Sequence, residues 1–146
     1  RVISISFGAE DFTRTMGAER TKEGKELFVA RTMVVMAAAV AGVDAIDTVW
    51  SDLDDEAGFK EEVKSSMNLG FAGKSCIHPS QVKIVHKIFT PDEKELEKSL
   101  EIVRAAEAAN INKGGVITVN GKMVDIPVIA KAEKVVRLAK SAGMIK

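Results

Sequence analysis

Hydrophobic and polar positions follow one or other period of regular structure along most of this chain. Val2 to Phe7 sets branched apolar residues against Ser4 and Ser6, the two-residue period of a strand, and Gly8-Ala9-Glu10-Asp11 ends it. From about Glu23 to Ala41 the residues are good helix formers, apolar almost all round after Phe28. That pattern predicts a buried helix, with Met33 and Met36 as core filler and Gly42 as its stop. Val43 to Val49 is a second strand carrying Asp44 and Asp47. A helix capped by Asp52 or Asp54 then runs to about Leu69 and stops at Gly70. Ala72 to Ile77 is a third short strand, followed by His78-Pro79 and a helix capped by Ser80.

The second part of the chain is more strongly punctuated. In Thr90-Pro91-Asp92-Glu93, Thr90 is placed as N-cap, Pro91 as the first helical residue and Glu93 as the closing acid of a capping box, opening a helix to about Ala109. Gly114-Gly115 breaks the chain. Val116 to Val119 and Lys122 to Ile126, joined by Asn120-Gly121, predict a hairpin on a type I′ turn. Pro127 starts the final helix and Gly143 stops it.

Strands alternating with helices predict an α/β fold with parallel strands and right-handed crossovers. Three such strands leave two open edges and a half-covered face, whereas parallel sheets are buried on both sides. The chain is therefore expected to oligomerise or to belong to a larger barrel or doubly wound sheet, and the larger fold is the preferred reading. A chain that opens directly in a strand also suggests further residues upstream.

Composition narrows the function. With 21 basic and 21 acidic residues among 146, the net charge is zero, which excludes a general electrostatic nucleic-acid binder. Tyr is absent and aromatics are 5%, so base-stacking surfaces are not expected. Hydrophobic residues at 46% argue for a packed core. The longest apolar run, Met33 to Val43, is about half the length needed to span a bilayer. The single cysteine, Cys76, excludes a disulfide framework and fits a reducing, cytoplasmic setting.

In parallel α/β folds the loops after the strands build the active site. Here those loops carry Glu10 and Asp11, then Asp47 with Ser51 and Asp52, then His78 and Ser80. Carboxylates without Cys or paired His suit a hard cation such as Mg²⁺. Spacing alone leaves bland readings open. Glu10 or Asp11 can cap a turn, Asp52 and Asp54 are better read as helix caps, and His78 can bond backbone. His86 reads as surface or packing, Trp50 as packing before a pocket wall, and Cys76 as a small core hydrophobe. Asp47 inside a strand needs a partner if buried. Asp125, just before Pro127, reads first as an acid of the helix N-cap region.

Four segments together resemble a known family. Gly8-Ala9-Glu10-Asp11-Phe12, Ala45-Ile46-Asp47-Thr48-Val49, Gly73-Lys74 with Ile77-His78-Pro79-Ser80-Gln81, and Asn120-Gly121-Lys122-Met123-Val124-Asp125 are similar, in order and spacing, to citrate lyase β subunits. These sit in the wider family of Mg²⁺-dependent acyl-CoA lyases that includes malyl-CoA and citramalyl-CoA lyases. The resemblance implies the C-terminal half of a (β/α)₈ barrel over residues 1–110, with a C-terminal hairpin and helix over residues 111–146 acting as a lid.

The resemblance also implies roles. Asp11 corresponds to one Mg²⁺ ligand, while a second, a Glu, and a substrate-gripping Arg belong to the part of the barrel upstream. Ile77, His78 and Pro79 correspond to rim positions near the thioester carrier. Asp125 corresponds to the catalytic residue, contributed to a neighbouring subunit of a homo-oligomer. The implied reaction cleaves citryl thioester, carried on CoA or an acyl carrier protein, to oxaloacetate and acetyl thioester. Mg²⁺ would act as Lewis acid and Asp125 would protonate the departing enolate. The implied partners are the α subunit and acyl carrier protein of a citrate lyase complex, with no nucleic acid and no membrane. Many citrate lyase β subunits read Ile-Asn-Pro-Arg where this chain has Ile77-His78-Pro79-Ser80, which leaves open a lyase acting on a CoA thioester instead of on an acyl carrier protein. A malyl-CoA or citramalyl-CoA lyase is the alternative within the family. A half-barrel serving only in assembly is the alternative from another class.

Overall fold

A computed structural model describes residues 2–111 and 115–145. The chain forms two compact units, Arg1–Phe89 and Thr90–Lys146. The sequence reading divides the chain after residue 110. The observed division falls earlier because the helix over Glu93–Ala108 packs with the C-terminal helix and hairpin. Among the described residues no helix is long and apolar enough to cross a membrane.

The first unit is a three-stranded parallel sheet with its crossover helices. Strand β1 (Ser4–Ser6) leads into helix α1 (Ala9–Met16), then a 3₁₀ turn (Lys25–Leu27) and helix α2 (Phe28–Ala41). Strand β2 (Asp44–Asp47), helix α3 (Glu56–Leu69), strand β3 (Gly73–Lys74) and helix α4 (Pro79–Phe89) follow. The sheet order is β1-β2-β3, with Ser4 opposite Asp44 and Asp47 opposite Lys74. One core gathers Phe7, Ala9, Leu27, Ala38, Ala45 and Phe71 between sheet and α2; a second gathers Trp50, Phe59, Val63 and Val85 between α3 and α4.

Helix α1 forms where the sequence pattern assigns no element between the first strand and the helix from Glu23. Its Ala9, Phe12, Thr13 and Met16 follow the helical period, Glu10 and Asp11 favour its positive N-terminal end, and Gly17 closes it at φ 66°. The strands are shorter than the apolar runs predict. Ser75 N still donates to Asp47 O at 3.0 Å, but Ile77 N is taken by the side chain of Gln81, so the chain leaves the sheet before Ile77.

Helix α2 is not buried all round. Arg31 and Ala38 face the interior, whereas Phe28, Val29, Met33, Met36 and Val40 are exposed. Met33 and Met36 are therefore surface residues and not core filler. The cap of α3 is Asp55, which accepts from Gly58 N at 2.8 Å, in place of Asp52 or Asp54. Helix α4 starts at Pro79, leaving Ser80 inside it.

The second unit contains α5 (Glu93–Ala108), β4 (Ile117–Val119), β5 (Lys122–Val124) and α6 (Ile126–Ser141). The cap of α5 is Asp92, accepting from Glu95 N at 2.7 Å, two residues later than the expected Thr90. The hairpin forms as predicted, with Asn120 and Gly121 both at positive φ (51° and 73°). Gly114 of the expected break lies outside the described residues. Ile102, Ala106, Val124, Ile129 and Ala132 make this unit's core.

Candidate functional site

The carboxyl ends of β1, β2 and β3 open into three loops, and side chains tie these loops together. Thr48, the first residue beyond β2, accepts from Ala9 N of α1 through its hydroxyl oxygen at 3.0 Å. Its carbonyl accepts from Lys74 Nζ at 2.7 Å. Two residues on, Trp50 O accepts from Gln81 Nε2 at 2.9 Å, and Gln81 Oε1 accepts from Ile77 N at 2.9 Å. Thr48, Lys74 and Gln81 are all buried. Buried polar groups with these partners act as fixed struts, so the rim loops are held as one body.

Beneath the rim lies a chain of alternating charges. Asp47 is fully buried and points to the helices. Arg31 Nε donates to its Oδ1 at 3.1 Å, while Arg31 Nη2 and the Ser66 hydroxyl both donate to Oδ2. Lys74 Nζ lies 3.6 Å from Asp47 Oδ2 and 2.7 Å from Glu62 Oε2. Glu62 in turn meets Arg20 at 3.3 Å, and Arg20 reaches Glu26 at 3.6 Å and Glu10 at 3.5 Å. Arg31 also stacks over the Phe71 ring, 5.8 Å from its centroid.

Burial pushes the Asp47 carboxyl upward, but Lys74, Ser66 and Arg31 outweigh it and hold the group below its ordinary value. Glu26 is likewise held down against burial by the backbone N–H and hydroxyl of Thr21, each at 2.8 Å. At the surface, Lys22 bridges Asp52 (2.6 Å) and Asp55 (2.9 Å), raising its own pKa and lowering both of theirs.

Arg31, Glu62 and Arg20 belong to no motif of the sequence reading, and Lys74 enters it only within Gly73-Lys74. Arg31 carried a usable signal: it is the one charged residue in the fourteen-residue α2. Such a residue on an apolar helix needs a buried counter-charge, and Asp47 had been marked as needing a partner.

The predicted site residues are distributed as follows. Asp11 sits in the first turn of α1, 82% exposed, with Arg14 at 2.9 Å. Ile77 and His78 are exposed on the loop before α4, and His78 Nδ1 pairs with Ser80 Oγ at 2.8 Å. Pro79 opens α4. In the second unit Asp125 is the N-cap of α6, accepting from Val128 N at 3.3 Å, as the bland reading has it. Cys76 is half-buried against the second core, its thiol pushed up by burial. His86 is exposed. Trp50 packs in the core, and its edge borders two shallow clefts of about 220 and 340 Å³; Asp11 borders neither.

A metal can be tested against this donor set. Among the described residues no three His, Cys, Asp or Glu side chains gather into a metal-binding group. Mg²⁺ takes one or two carboxylates and fills its remaining positions with water and substrate. Asp11 offers one accessible hard oxygen donor at the rim. That fits one edge of a Mg²⁺ site, with further donors supplied from elsewhere.

Residues 1–79 match the HpcH/HpaI aldolase/citrate lyase family. The chain belongs to this family. It is 45% identical over 144 residues, 99% of its length, to the citrate lyase subunit beta of Escherichia coli K12, covering 48% of that protein. It is 34% identical to mouse mitochondrial citramalyl-CoA lyase, covering 94% of this chain and 41% of that enzyme.

Among solved structures, the protein CitE from Mycobacterium tuberculosis, in complex with magnesium, acetoacetate and coenzyme A, superposes with a TM-score of 0.71 at 33% identity. The match covers 92% of this chain and 51% of CitE. The chain thus spans about half the length of the relatives it matches. Its three β/α units are part of a TIM-type barrel, the α/β class expected from the sequence.

Proposed function

We propose that this chain supplies part of the active site of a Mg²⁺-assisted carbon–carbon lyase. Its substrate is a citryl thioester, carried on coenzyme A or an acyl carrier protein, and its products are oxaloacetate and an acetyl thioester. The observation that carries the reading is the bonded rim: Thr48, Lys74 and Gln81 hold the start of α1, which carries Asp11, and the segment Ile77–Pro79 in a fixed relation. Catalytic groups must be positioned closely to be effective, and rigid support of this kind provides for it. Complexes of CitE with magnesium, acetoacetate and coenzyme A support the choice of metal and carrier.

Asp11 would hold one side of the ion, with a Glu from outside this chain. When bound, the ion supplies Lewis-acid stabilisation of charge on substrate oxygens. Arg14 releases Asp11 for this role; their bond is a surface pair of small worth. Asp125 would give a proton to the thioester α-carbon as its bond to the carbinol carbon breaks. The carbinol hydroxyl loses one proton as its carbon becomes the ketone, and solvent returns it to the carboxylate, so no net proton is consumed. The Ile77–His78–Pro79 loop flanks the carrier. The hairpin and α6 serve as lid, and Asp125 serves a neighbouring subunit of a homo-oligomer. An α subunit and a carrier protein complete the assembly, and the lone Cys76 supports a cytoplasmic setting.

The test is turnover of citryl thioester by the full-length Asp125→Asn protein. Asn caps a helix as well as Asp does, so α6 keeps its N-terminus. Turnover is expected to fall by about 10²–10⁴-fold, the usual contribution of a positioned acid. Undiminished turnover with an intact fold would refute the assignment. The 34% identity to mouse citramalyl-CoA lyase favours a second reading, a citramalyl-CoA or malyl-CoA lyase. Comparing citryl, citramalyl and malyl thioesters on CoA and on carrier protein distinguishes the two.

A further inference from the structure

Arg20 has no part in the proposed chemistry, yet its side chain meets carboxylates from three elements. Nε lies 3.5 Å from Glu10 Oε1 of α1, Nη1 3.6 Å from Glu26 Oε1 of the 3₁₀ turn, and Nη2 3.3 Å from Glu62 Oε1 of α3. Nη1 also donates to Thr21 O at 2.8 Å. Two of the three acids are themselves fixed. Glu62 is buried, with Lys74 Nζ at 2.7 Å, and Glu26 accepts from the N–H and hydroxyl of Thr21. A guanidinium is planar, with its donors in a rigid fork, so anchoring two arms sets the direction of the third. That third arm is the one on Glu10.

Glu10 is the neighbour of Asp11 in the first turn of α1. The ion pair of Asp11 with Arg14 lies within α1 and gives the carboxylate no direction relative to the sheet. That direction is set by how α1 is turned about its own axis. Ala9 and Phe12 pack α1 against the core, but apolar contact is non-directional and tolerates a small roll. Thr48 and Arg20 instead hold two defined points. Thr48 takes Ala9 N on the buried side, and Arg20 takes Glu10, about 100° further round the helix. Two such points fix the roll.

We infer that Arg20 is a positioning residue for the ion site: through Glu10 it fixes the turn of α1 and so presents Asp11 to the cation. The inference deepens the proposed role of Asp11 and rests on it. Charge alone predicts the opposite sign, because a guanidinium near the site repels Mg²⁺ and its removal would tighten binding. A loss of affinity on removing Arg20 is therefore the mark of positioning.

Calorimetric titration of Mg²⁺ into the full-length protein with oxaloacetate tests the inference on Arg20→Gln, Glu10→Gln and the double variant. Each single variant is expected to weaken Mg²⁺ about tenfold, the low end of what outer-shell partners of a metal ligand contribute. The double variant is expected to bind no more weakly than either, because both changes remove one contact. Equal or tighter binding by Arg20→Gln, or a further loss in the double variant, would overturn the inference. Asp11→Asn separates the two levels. If it leaves Mg²⁺ binding untouched, the reading of Asp11 fails and the role of Arg20 with it; if it weakens binding while Arg20→Gln does not, the role of Arg20 alone fails. Should Arg20→Gln not fold, Glu10→Gln carries the test, since Glu10 is 57% exposed and exposed pairs add little to stability. In that variant, without metal, the Phe12 amide, which donates to Gly8 O at 3.0 Å in the same turn, should exchange faster than in the parent. Unchanged Phe12 protection would overturn the inference.

Discussion

Asp47 lies between two cations, and its full burial makes that charge consequential. Arg31 and Lys74 are both buried beside it, so removing the carboxylate leaves two cations short of a partner. Asp47→Asn is expected to destabilise the fold by about 3 kcal/mol, the usual cost of breaking a buried ion pair, read by urea denaturation. The pH dependence follows from the same bonds. The folded carboxyl lies below its ordinary value of 3.8, so its contribution is complete above that value and is lost as pH falls through the lower, folded one. Melting temperature should therefore hold from about pH 7 to pH 5 and drop below about pH 4, with a shallower acid decline in Asp47→Asn. An identical decline in parent and variant would contradict this.

The need for a partner at Asp47 was legible from a carboxylate within an apolar strand. The identity of the partner was not. Arg31 lies sixteen residues away in α2, and only the crossover geometry brings the two together. Asp125 shows the converse. Its capping role is plain from Pro127 and is observed, whereas a proton-donating role leaves no local mark and came only from the resemblance.

Among the elements, the Asn-Gly hairpin stands where its sequence puts it, while helix caps and strand ends are displaced by a few residues. Asn120-Gly121 demands a type I′ turn whatever surrounds it, so the hairpin formed where expected. The caps of α3 and α5 fell one to three residues from the expected positions because several Asp and Thr residues compete at each start. β3 was overestimated because Gln81 draws Ile77 away from the sheet.

Two predictions belong at this scale. Thr48→Val keeps the shape but leaves the buried Ala9 N–H without its acceptor, which should cost about 1–3 kcal/mol. Amide exchange at Ala9 should accelerate in step; unchanged protection there would show that α1 does not need this bond. Gly58→Ala, a substitution that normally stabilises a helix, should here destabilise. An added Cβ would lie 2.5 Å from the Asp55 cap and 2.9 Å from the Trp50 ring, and overpacking of that kind costs about 1–3 kcal/mol. A raised melting temperature would show that the first turn of α3 has room to spare.

For the molecule as a whole, the argument from open sheet edges anticipated a larger barrel, and the half-length match to relatives agrees with it. The outward face of α2 was misread because an apolar run reads as buried in sequence, whereas Val29, Met33, Met36 and Val40 are exposed. The central claim is that Asp11 joins residues beyond this chain around a divalent ion. Calorimetric titration of Mg²⁺ into the full-length protein, with and without oxaloacetate, tests it against the assembly-only alternative. Substrate-dependent Mg²⁺ binding that weakens at least tenfold in Asp11→Asn is the predicted result. Binding that is unaltered by the substitution, or absent from the parent, would contradict the account.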